Sequence, residues 1–576
     1  MADQFPQIPF ENFGKSVQLV TPGGKVYTGA EAVFRTLASV GQKKWILWSY
    51  QYIRGFAAIS EWFYRFVAAH RGFFYKLTRL LWGKQIEPPS YRRIRWLFLR
   101  LLGLIYFIAF VSLGTQIIGL VGSTGILPAE NFLQSVENNF GSERYWLFPT
   151  LAWFSASDIF LYSLPFLGAI LSIFIIIGIM VAPALLLVWI LYLSLVVIGQ
   201  VFLSFQWDIF LLEVGFLALF LAPWRFKDHP AYKTYLTVPM VWLYRLLLFR
   251  FIFSSGAVKL LSGDSLWRNL KALTVHYQTQ PLPTPIAYYV HQLPIWFHQF
   301  SVVATFIIQL VIPFLIFLPR RARFVAAGSF IGFEVLIYLT GNYTFFNLLT
   351  IFLCLFLFDD QAVRRWLPQR LFHWSARIKE KVKITKRITI IGASALVALI
   401  IFLNVVYITI LFGGYGRLAP PARYVVGILA PFHLVNSYGV FATITNPRYE
   451  IIIEGSNDGE TWLAYEFRYK PGDLGRAPPI VAPHQPRLDW QMWFAALGSY
   501  QNYPWFENFL HRLLQGSPDV IKLLAHNPFP QGPPRFTRAL IYEYTFTDLA
   551  TKQKTGAWWK RELQGQYFPT ISLYNR

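Results

Sequence analysis

The sequence predicts a polytopic α-helical membrane protein that ends in a mostly β domain and begins with a small α/β cap. Of its 576 residues, 55% are hydrophobic and 14% are charged, whereas about a quarter of the residues in soluble domains are charged. Aromatic residues make up 18% of the chain, and they are typical of the boundary between membrane and water. After about residue 413 the long apolar runs end, and apolar and polar residues begin to alternate as in β-strands.

The first 95 residues are predicted to form the cap, because they contain no run apolar enough to span a membrane. The stretch VQLVTPGGKVYTGAEAVFRTLA has the pattern of a strand, a Gly-Gly turn, a second strand and a helix. Two amphipathic helical stretches follow and end in basic residues, which suit a surface close to anionic lipid.

Long apolar runs predict about nine membrane spans within residues 96–412. A helix needs about 20 apolar residues to cross the hydrocarbon core, because each residue adds about 1.5 Å and the core is about 30 Å thick. The fourth and eighth runs are short, so their ends are the least well defined. The predicted spans cover residues 97–121, 158–181, 183–204, 207–223, 241–261, 299–318, 323–340, 343–358 and 388–412.

The charges of the linkers predict the orientation. Linkers 225–239, 319–323 and 359–387 are basic, whereas 122–157 and 262–298 hold few lysines or arginines. Basic linkers stay in the cytoplasm, so nine spans place the N-terminus in the cytoplasm and the C-terminal domain outside it. The net charge of +23 is explained by these linkers, and no nucleic-acid partner is predicted.

The C-terminal region is predicted as a Gly/Pro-rich linker, 413–429, and a β-rich extracytoplasmic domain, 430–576. The stretch YEIIIEGSNDGETWLAYEFRYK alternates around an Asn-Asp-Gly turn, which is a strong hairpin signal. RALIYEYTFT predicts another strand, and MWFAALGSYQNYPWFENFLHRLL predicts one helical insertion.

Lys259 is the first candidate for chemistry, because a lysine in an apolar helix is costly unless it reaches water, pairs or loses its proton. Two interpretations stay open: its head extends to the membrane surface, or it is a desolvated base. Glu213 lies at a similar predicted depth in the preceding span, so we expect Glu213 and Lys259 to form a pair. Such a pair either forms a catalytic site or only fixes the packing of the two helices.

Further candidates cluster at the predicted outer ends of the spans. His276 is the third candidate catalytic residue. Trp490, Trp493 and Phe494 are candidates for contacts with a partner, with burial in the domain core as the alternative.

Cys354 is the only cysteine, so no intramolecular disulfide is possible. No metal-ligand spacing and no cofactor motif are identified. The candidate binding residues are Trp207, Asp208, Asp264, Trp267, Tyr277, Gln280, Asn342, Tyr343, Asn347 and Trp462.

Four long motifs occur in an order that resembles the lipase maturation factors: SFQWDIFLLEVGFLALFLAPW, YRLLLFRFIFSSGAVKLLSGDSLWRNLKALTVHYQTQPLPTPIAYY, GNYTFFNLLTIFLCLFLFDD and PFHLVNSYGVFATIT with RYEIIIEGSNDGETW. The resemblance implies a polytopic protein that helps secreted lipases fold and assemble, with a lumenal C-terminal domain that engages the client. The implied partners are the lipid bilayer and a secreted or lumenal client protein. The N-terminal segment departs from the animal pattern and indicates a bacterial relative, which predicts the inner or plasma membrane; a eukaryotic chain would lie in the endoplasmic reticulum membrane.

Two alternative functions remain open. FSSGAVKLLSGDSLW is similar to the HTTM membrane domain of vitamin K-dependent γ-carboxylase, a resemblance that implies a membrane enzyme with Lys259 as the base. A transporter is the other alternative. Few ionisable residues lie deep in most spans, which argues against it, but Glu334 in the seventh span supports it.

The cap carries a resemblance of its own. GGKVYTGAEAVFRTLA and WFYRFVAAHRGFFYKLTRLLWG resemble the second half of DCC-type thiol-disulfide oxidoreductase domains. The active cysteines of that group lie in the first half, so the resemblance implies a remnant without redox chemistry.

Overall fold

A computed structural model describes residues 8–39, 44–83, 89–229, 237–364 and 387–573. The chain divides into two compact units, Met1–Pro88 with Pro319–Arg321, and Pro89–Leu318 with Ala322–Arg576. Two strands of the first unit, β1 (Gln18–Val20) and β2 (Val26–Thr28), pair antiparallel around Gly24, whose φ of 78° suits a glycine turn. The predicted order of strand, turn, strand and helix is confirmed. The elements of this unit are α1 (Phe10–Lys15), β1 (Gln18–Val20), β2 (Val26–Thr28), α2 (Gly29–Ser39), α3 (Lys44–Tyr52), α4 (Phe56–Ala69) and α5 (Arg71–Trp82).

The larger unit begins as a bundle of helices. Its first half contains α6 (Arg92–Gly114), α7 (Ile117–Val121), α8 (Ala129–Phe140), α9 (Arg144–Leu147), α10 (Asp158–Ile177), α11 (Val181–Ile198), α12 (Gln206–Leu221) and α13 (Thr237–Leu261). Its second half contains α14 (Ser265–Arg268), α15 (Ala272–Thr279), α16 (Pro285–His291), α17 (Ile295–Phe306), α18 (Arg320–Thr340), α19 (Phe346–Leu353), α20 (Asp360–Val363), α21 (Arg387–Gly413) and α22 (Pro420–Leu429).

Among the described residues, seven helical segments are long and apolar enough to cross a membrane. They are α6, α10, α11, α13, Ile295–Phe317, α18 and the part Ile391–Gly413 of α21. The other two predicted spans are helical but short: α12 has 16 residues, and the second is Phe346–Leu357. Sixteen residues extend about 24 Å, less than the hydrocarbon thickness. A membrane protein is therefore confirmed, and the count of nine spans is not.

The segment Ile295–Phe317 changes its helical geometry along its length. After α17 the chain forms a π-helical turn, Ile307–Val311, and then a 3₁₀ segment, Ile312–Phe317. Pro313 has no backbone N–H and cannot continue the regular α-helical hydrogen bonds, which accounts for the change. The π turn brings Gln309 into a buried position.

The C-terminal part combines a sheet with helices. A four-stranded antiparallel sheet has the order β4 (Leu463–Ala464), β3 (Tyr449–Ser456), β7 (Phe536–Phe546) and β8 (Trp559–Ile571), and β5 (Glu466–Phe467) pairs with β6 (Leu524–His526). The predicted hairpin is confirmed by the pairing of β3 with β4. The predicted single helical insertion is instead two helices, because a 3₁₀ turn and Pro504 interrupt the stretch. The elements are β3 (Tyr449–Ser456), β4 (Leu463–Ala464), β5 (Glu466–Phe467), α23 (Arg487–Ala495), α24 (Pro504–Leu514), α25 (Pro518–Ile521), β6 (Leu524–His526), β7 (Phe536–Phe546), α26 (Leu549–Thr555) and β8 (Trp559–Ile571).

One core of buried apolar side chains joins the helices to the C-terminal part. Trp207, in α12, stacks on Phe205 with ring centres 4.7 Å apart and meets Trp490 of α23 edge-on at 4.8 Å. Contacts of this kind bury aromatic surface from both parts at once. The C-terminal part is therefore packed against the helix ends rather than held by its linker alone.

Candidate functional site

A cavity of about 450 Å³ lies among α13, α15, α17, α18 and α19. Its wall is mostly apolar and aromatic, with a few polar side chains that converge from different helices, which is the usual composition of a small-molecule site. It brings together seven of the residues that the sequence singled out: Lys259, Trp267, His276, Tyr277, Gln280, Tyr343 and Asn347. Glu334 and Gln309 also line it.

Lys259 is buried in this cavity near the end of α13. Its Nζ donates hydrogen bonds to the backbone oxygens of Ser255 (2.7 Å) and Val440 (3.0 Å). The same atom lies 5.2 Å from the centre of the Trp267 ring, where a cation is attracted to the aromatic face. The head of Lys259 therefore stays inside the protein, and the prediction that it extends to the membrane surface is wrong.

Glu213 does not pair with Lys259 among the described residues, so that prediction is also wrong. Glu213 forms a buried ion pair with Arg250 and accepts hydrogen bonds from Tyr438 (2.7 Å) and from the backbone N–H of Asn436 (2.9 Å). Successive helical residues are rotated by about 100°, so Arg250 and Lys259, nine positions apart, lie on opposite faces of α13. The predicted pair fails because Glu213 meets the face of α13 that carries Arg250, not the face that carries Lys259.

The acidic residue near Lys259 is Glu334 of α18. Its carboxylate lines the cavity, accepts a hydrogen bond of 2.6 Å from Asn347 Nδ2, and interacts electrostatically with Lys259. Within the described part of the chain Lys259 and Glu334 form no direct ion pair. The sequence marked Glu334 only as support for a transporter, and its position opposite Lys259 required the packing of α18 against α13.

His276, Tyr343 and Gln280 form a polar group at the same cavity. Tyr343 Oη donates to Gln280 Oε1 (2.7 Å) and lies 3.4 Å from His276 Nε2, and Gln280 Nε2 donates to the backbone oxygen of Thr340 (2.8 Å). Burial lowers the pKa of His276 to about 4, and the charge of Lys259 contributes in the same direction. His276 is therefore a neutral imidazole near neutral pH.

Two side-chain oxygens in this cavity have no hydrogen-bond partner among the described residues: Gln309 Oε1 and Asn347 Oδ1. Both side chains are buried, and an unpaired buried acceptor costs about 1–3 kcal/mol. Gln309 was missed in the sequence. The available signal was an amide within an apolar run, four residues before Pro313.

Trp207 and Asp208, at the start of α12, lie outside the cavity. Trp207 Nε1 donates to Gln485 Oε1 (2.5 Å). Asp208 is fully buried and accepts two hydrogen bonds from the Arg487 guanidinium (2.8 and 2.9 Å) and one from Tyr192 (2.5 Å). Both predicted binding residues therefore contact the C-terminal part of their own chain.

Asp264 and Asn342 also accept hydrogen bonds from the C-terminal part of the chain. Asp264 accepts from the backbone N–H of Ile444 (2.7 Å) and also caps the start of α14. Asn342 Oδ1 accepts from the backbone N–H of Val481 (2.7 Å). These side chains hold segments of the C-terminal part against the loops that join the helices.

The predicted aromatic contact residues lie in different surroundings. Trp462 is half-buried at the sheet, where the Arg538 guanidinium lies 4.0 Å from its ring centre. Trp490 and Trp493 are buried, and Phe494 is partly buried against the same core. Core packing thus accounts for Trp490 and Trp493, which was the alternative considered for them.

Family models match both parts of the chain. Residues 93–365 match the lipase maturation factor transmembrane domain, and residues 434–569 match the lipase maturation factor C-terminal domain. Lipase maturation factor 2 of Gallus gallus is 38% identical over 84% of this chain and 82% of its own length. The chain belongs to the lipase maturation factor family.

The similarity extends to both named branches of the family. Lipase maturation factor 2 of Homo sapiens is 36% identical, over 83% of this chain and 82% of its own length. Lipase maturation factor 1 of Bos taurus is 35% identical, over 85% of this chain and 90% of its own length. No solved structure matches the chain.

The cavity is built from both segments that match the family models, because its wall includes residues of α13 to α19 and also Val440 and Phe441.

Proposed function

We propose that this integral membrane protein assists the folding or assembly of a secreted client protein, and that the client is a lipase. The observation that carries the proposal is the identity of 38% with a lipase maturation factor across 84% of the chain. The shared core of the membrane helices and the C-terminal part supports it, because a folding factor needs a firmly held surface outside the bilayer. The enzyme with Lys259 as its base and the transporter stay predictions, as do the HTTM and DCC resemblances.

The proposal includes an orientation. With α12 and Phe346–Leu357 counted as short spans, nine crossings place the N-terminus in the cytoplasm and the sheet on the opposite side. The alternation of basic and non-basic linkers supports this arrangement. The client would then be met outside the cytoplasm, at the inner or plasma membrane of a bacterium or in the lumen of the endoplasmic reticulum.

The sheet offers a surface that suits an unfolded client. Strand β8 lies at the edge of the sheet and pairs with β7 alone within the described sheet. Residues 560–564 of this strand are exposed, and Leu563 is 55% exposed. An open edge strand can add an extended segment of another chain through backbone hydrogen bonds. We therefore assign client contact to the free edge of β8.

Two experiments test this function. Cells that lack the chain should secrete a lipase of the same organism with lower activity per molecule, and the intact chain should restore it. Leu563→Glu, which places a charge at the exposed edge, should lower the restored activity several-fold while the level and thermal stability of the variant stay unchanged. Leu497→Glu is the matched control, because Leu497 is 44% exposed in the loop after α23.

The outcomes separate the two claims. Unchanged lipase activity without the chain contradicts the maturation function. Equal effects of Leu563→Glu and Leu497→Glu contradict the assignment of client contact to β8 and leave the maturation function standing.

A further inference from the structure

The cavity beside Lys259 has no part in the proposed contact with a client, yet it has the features of a ligand site. We propose that it binds one uncharged lipid with a single acyl chain and a hydroxyl-bearing head, the chemistry of a monoacylglycerol. A volume of about 450 Å³ lies within the range of about 300–1,000 Å³ for sites that enclose one small molecule.

The apolar wall of the cavity suits the acyl chain and supplies an entrance. Phe297, Phe300, Leu336 and Ile337 line it. Phe300 and Leu336 are also among the exposed residues of two apolar membrane segments, Ile295–Phe317 and α18, which are largely unburied in the protein. Exposed apolar faces of membrane helices meet lipid. The cavity therefore reaches the lipid-facing surface, and a lipid can enter from the bilayer.

Two acceptors in the polar part of the cavity lack a hydrogen-bond donor. Gln309 Oε1 and Asn347 Oδ1 are buried acceptors without partners among the described residues. Asn347 Nδ2 already donates to Glu334, which fixes the amide orientation and leaves Oδ1 free. A hydroxyl group donates one hydrogen bond and accepts others. A ligand with hydroxyl groups can therefore satisfy the two acceptors that the protein leaves unpaired.

The charges favour an uncharged head. Lys259 and Glu334 both line the cavity and interact electrostatically, so one basic and one acidic group balance each other there. A head with a net charge would add an uncompensated charge to this low-dielectric site, which is unfavourable. An uncharged head is therefore favoured over a fatty acid anion or an amine.

The test uses the purified full-length protein in lipid nanodiscs. A monoacylglycerol with a photoreactive diazirine in its acyl chain is crosslinked, and the labelled peptides are identified by mass spectrometry. Label is expected on residues 297–309 and 333–347. Unlabelled monooleoylglycerol should compete, while oleate and lysophosphatidylcholine at equal concentration should not. Equal competition by all three amphiphiles, or label spread over every membrane helix, would overturn the proposal.

Two neighbouring substitutions provide a matched pair. Ala304 lines the cavity, whereas Val303 is exposed on the same helix and does not line it. Ala304→Phe fills the site and should reduce specific labelling at least about tenfold, whereas Val303→Phe should leave it unchanged. Equal labelling of the two variants contradicts the proposal.

A third variant tests the hydrogen bond and does not depend on filling the cavity. The wild-type protein should bind the hydroxyl lipid about fivefold more tightly than its methyl ether, since one neutral hydrogen bond contributes about 1 kcal/mol. Gln309→Leu removes the acceptor and should reduce this preference. An undiminished preference in Gln309→Leu would show that the lipid hydroxyl does not bind Gln309, and no preference in the wild type would show that it makes no hydrogen bond in the cavity. Either result contradicts the proposed binding mode.

Discussion

Buried polar residues find their partners far away along the chain. Glu213 accepts from Asn436, 223 positions later, and Asp208 binds Arg487, 279 positions later. The sequence marks Glu213 and Asp208 because charges inside apolar runs are costly. It does not identify the partners, because many polar residues lie outside the spans and only the tertiary fold selects among them. The local sequence thus identified the buried charged residues but not the residues that they contact.

Replacement of Arg487 by methionine should strongly destabilise the protein. Asp208 is fully buried, and removal of one member of a buried ion pair leaves an uncompensated charge that costs about 3–5 kcal/mol. Lys522→Met is the control, because the Lys522–Asp519 pair is largely exposed and such pairs contribute about 0–1 kcal/mol. Thermal unfolding of the purified variants measures both. Equal shifts in Tm would contradict the structural role assigned to Arg487.

Acidification should weaken the folded state in part through His276. Its pKa is about 4 in the folded chain and 6.5 ordinarily, so between these values the unfolded chain binds more protons. The contribution of His276 to the free energy of unfolding is then fully present above about pH 6.5. It falls by about 1.4 kcal/mol per pH unit toward pH 4. The groups that face His276 are Lys259, Tyr343 and Tyr277.

The measurement compares unfolding at pH 7, 6 and 5 for the wild type and His276→Gln. The variant should lose less stability on acidification, although His291 and His484, with pKa values also lowered to about 4 by burial, keep part of the dependence. Identical pH profiles would contradict a buried neutral His276.

Among the secondary-structure elements, the membrane helices were predicted most reliably, from the length of the apolar runs. Each predicted span corresponds to a helix, because a run of apolar residues in lipid must satisfy its own backbone hydrogen bonds. The π turn at Ile307–Val311 was not predicted, since its sequence, IIQLV, is ordinary for a helix. Gly256 of α13 lies against the π turn, and a glycine within an apolar helix is a signal for the close approach of another helix.

Gly256→Ala should therefore destabilise the contact between α13 and the π turn. A Cβ at position 256 would lie 2.8 Å from Gln309 Cβ and 2.9 Å from Leu310 Cδ2, and overpacking of this kind costs about 1–3 kcal/mol. Gly332→Ala in α18 is the control, because a Cβ there meets nothing within 4 Å and alanine favours helix by about 1 kcal/mol. Opposite shifts in Tm are expected, and a gain at position 256 would contradict the close packing.

At the scale of the whole molecule, the order of its parts was predictable and their interdependence was not. Composition changes mark the end of the spans near residue 413, and strand alternation marks the sheet. The domain boundaries at 95, 412 and 429 remain predictions. The common core and the contacts of Arg448, which donates to the backbone oxygens of Gln278 and Pro281 (both 2.9 Å), depend on residues that are distant in sequence.

The membrane helices and the C-terminal part should unfold together. The ion-pair partner of Asp208, Arg487, lies in the C-terminal part, as do two hydrogen-bond donors of Glu213, Asn436 and Tyr438. Loss of that part would leave Asp208 as an uncompensated buried charge at high cost. Hydrogen exchange of α13 and of β7, followed through a denaturant series on the intact chain, should give coincident transitions, as expected for one cooperative unit. Two separate transitions, or a chain ending at residue 429 whose helices keep the thermal stability of the intact protein, would show that each part is stabilised by its own contacts.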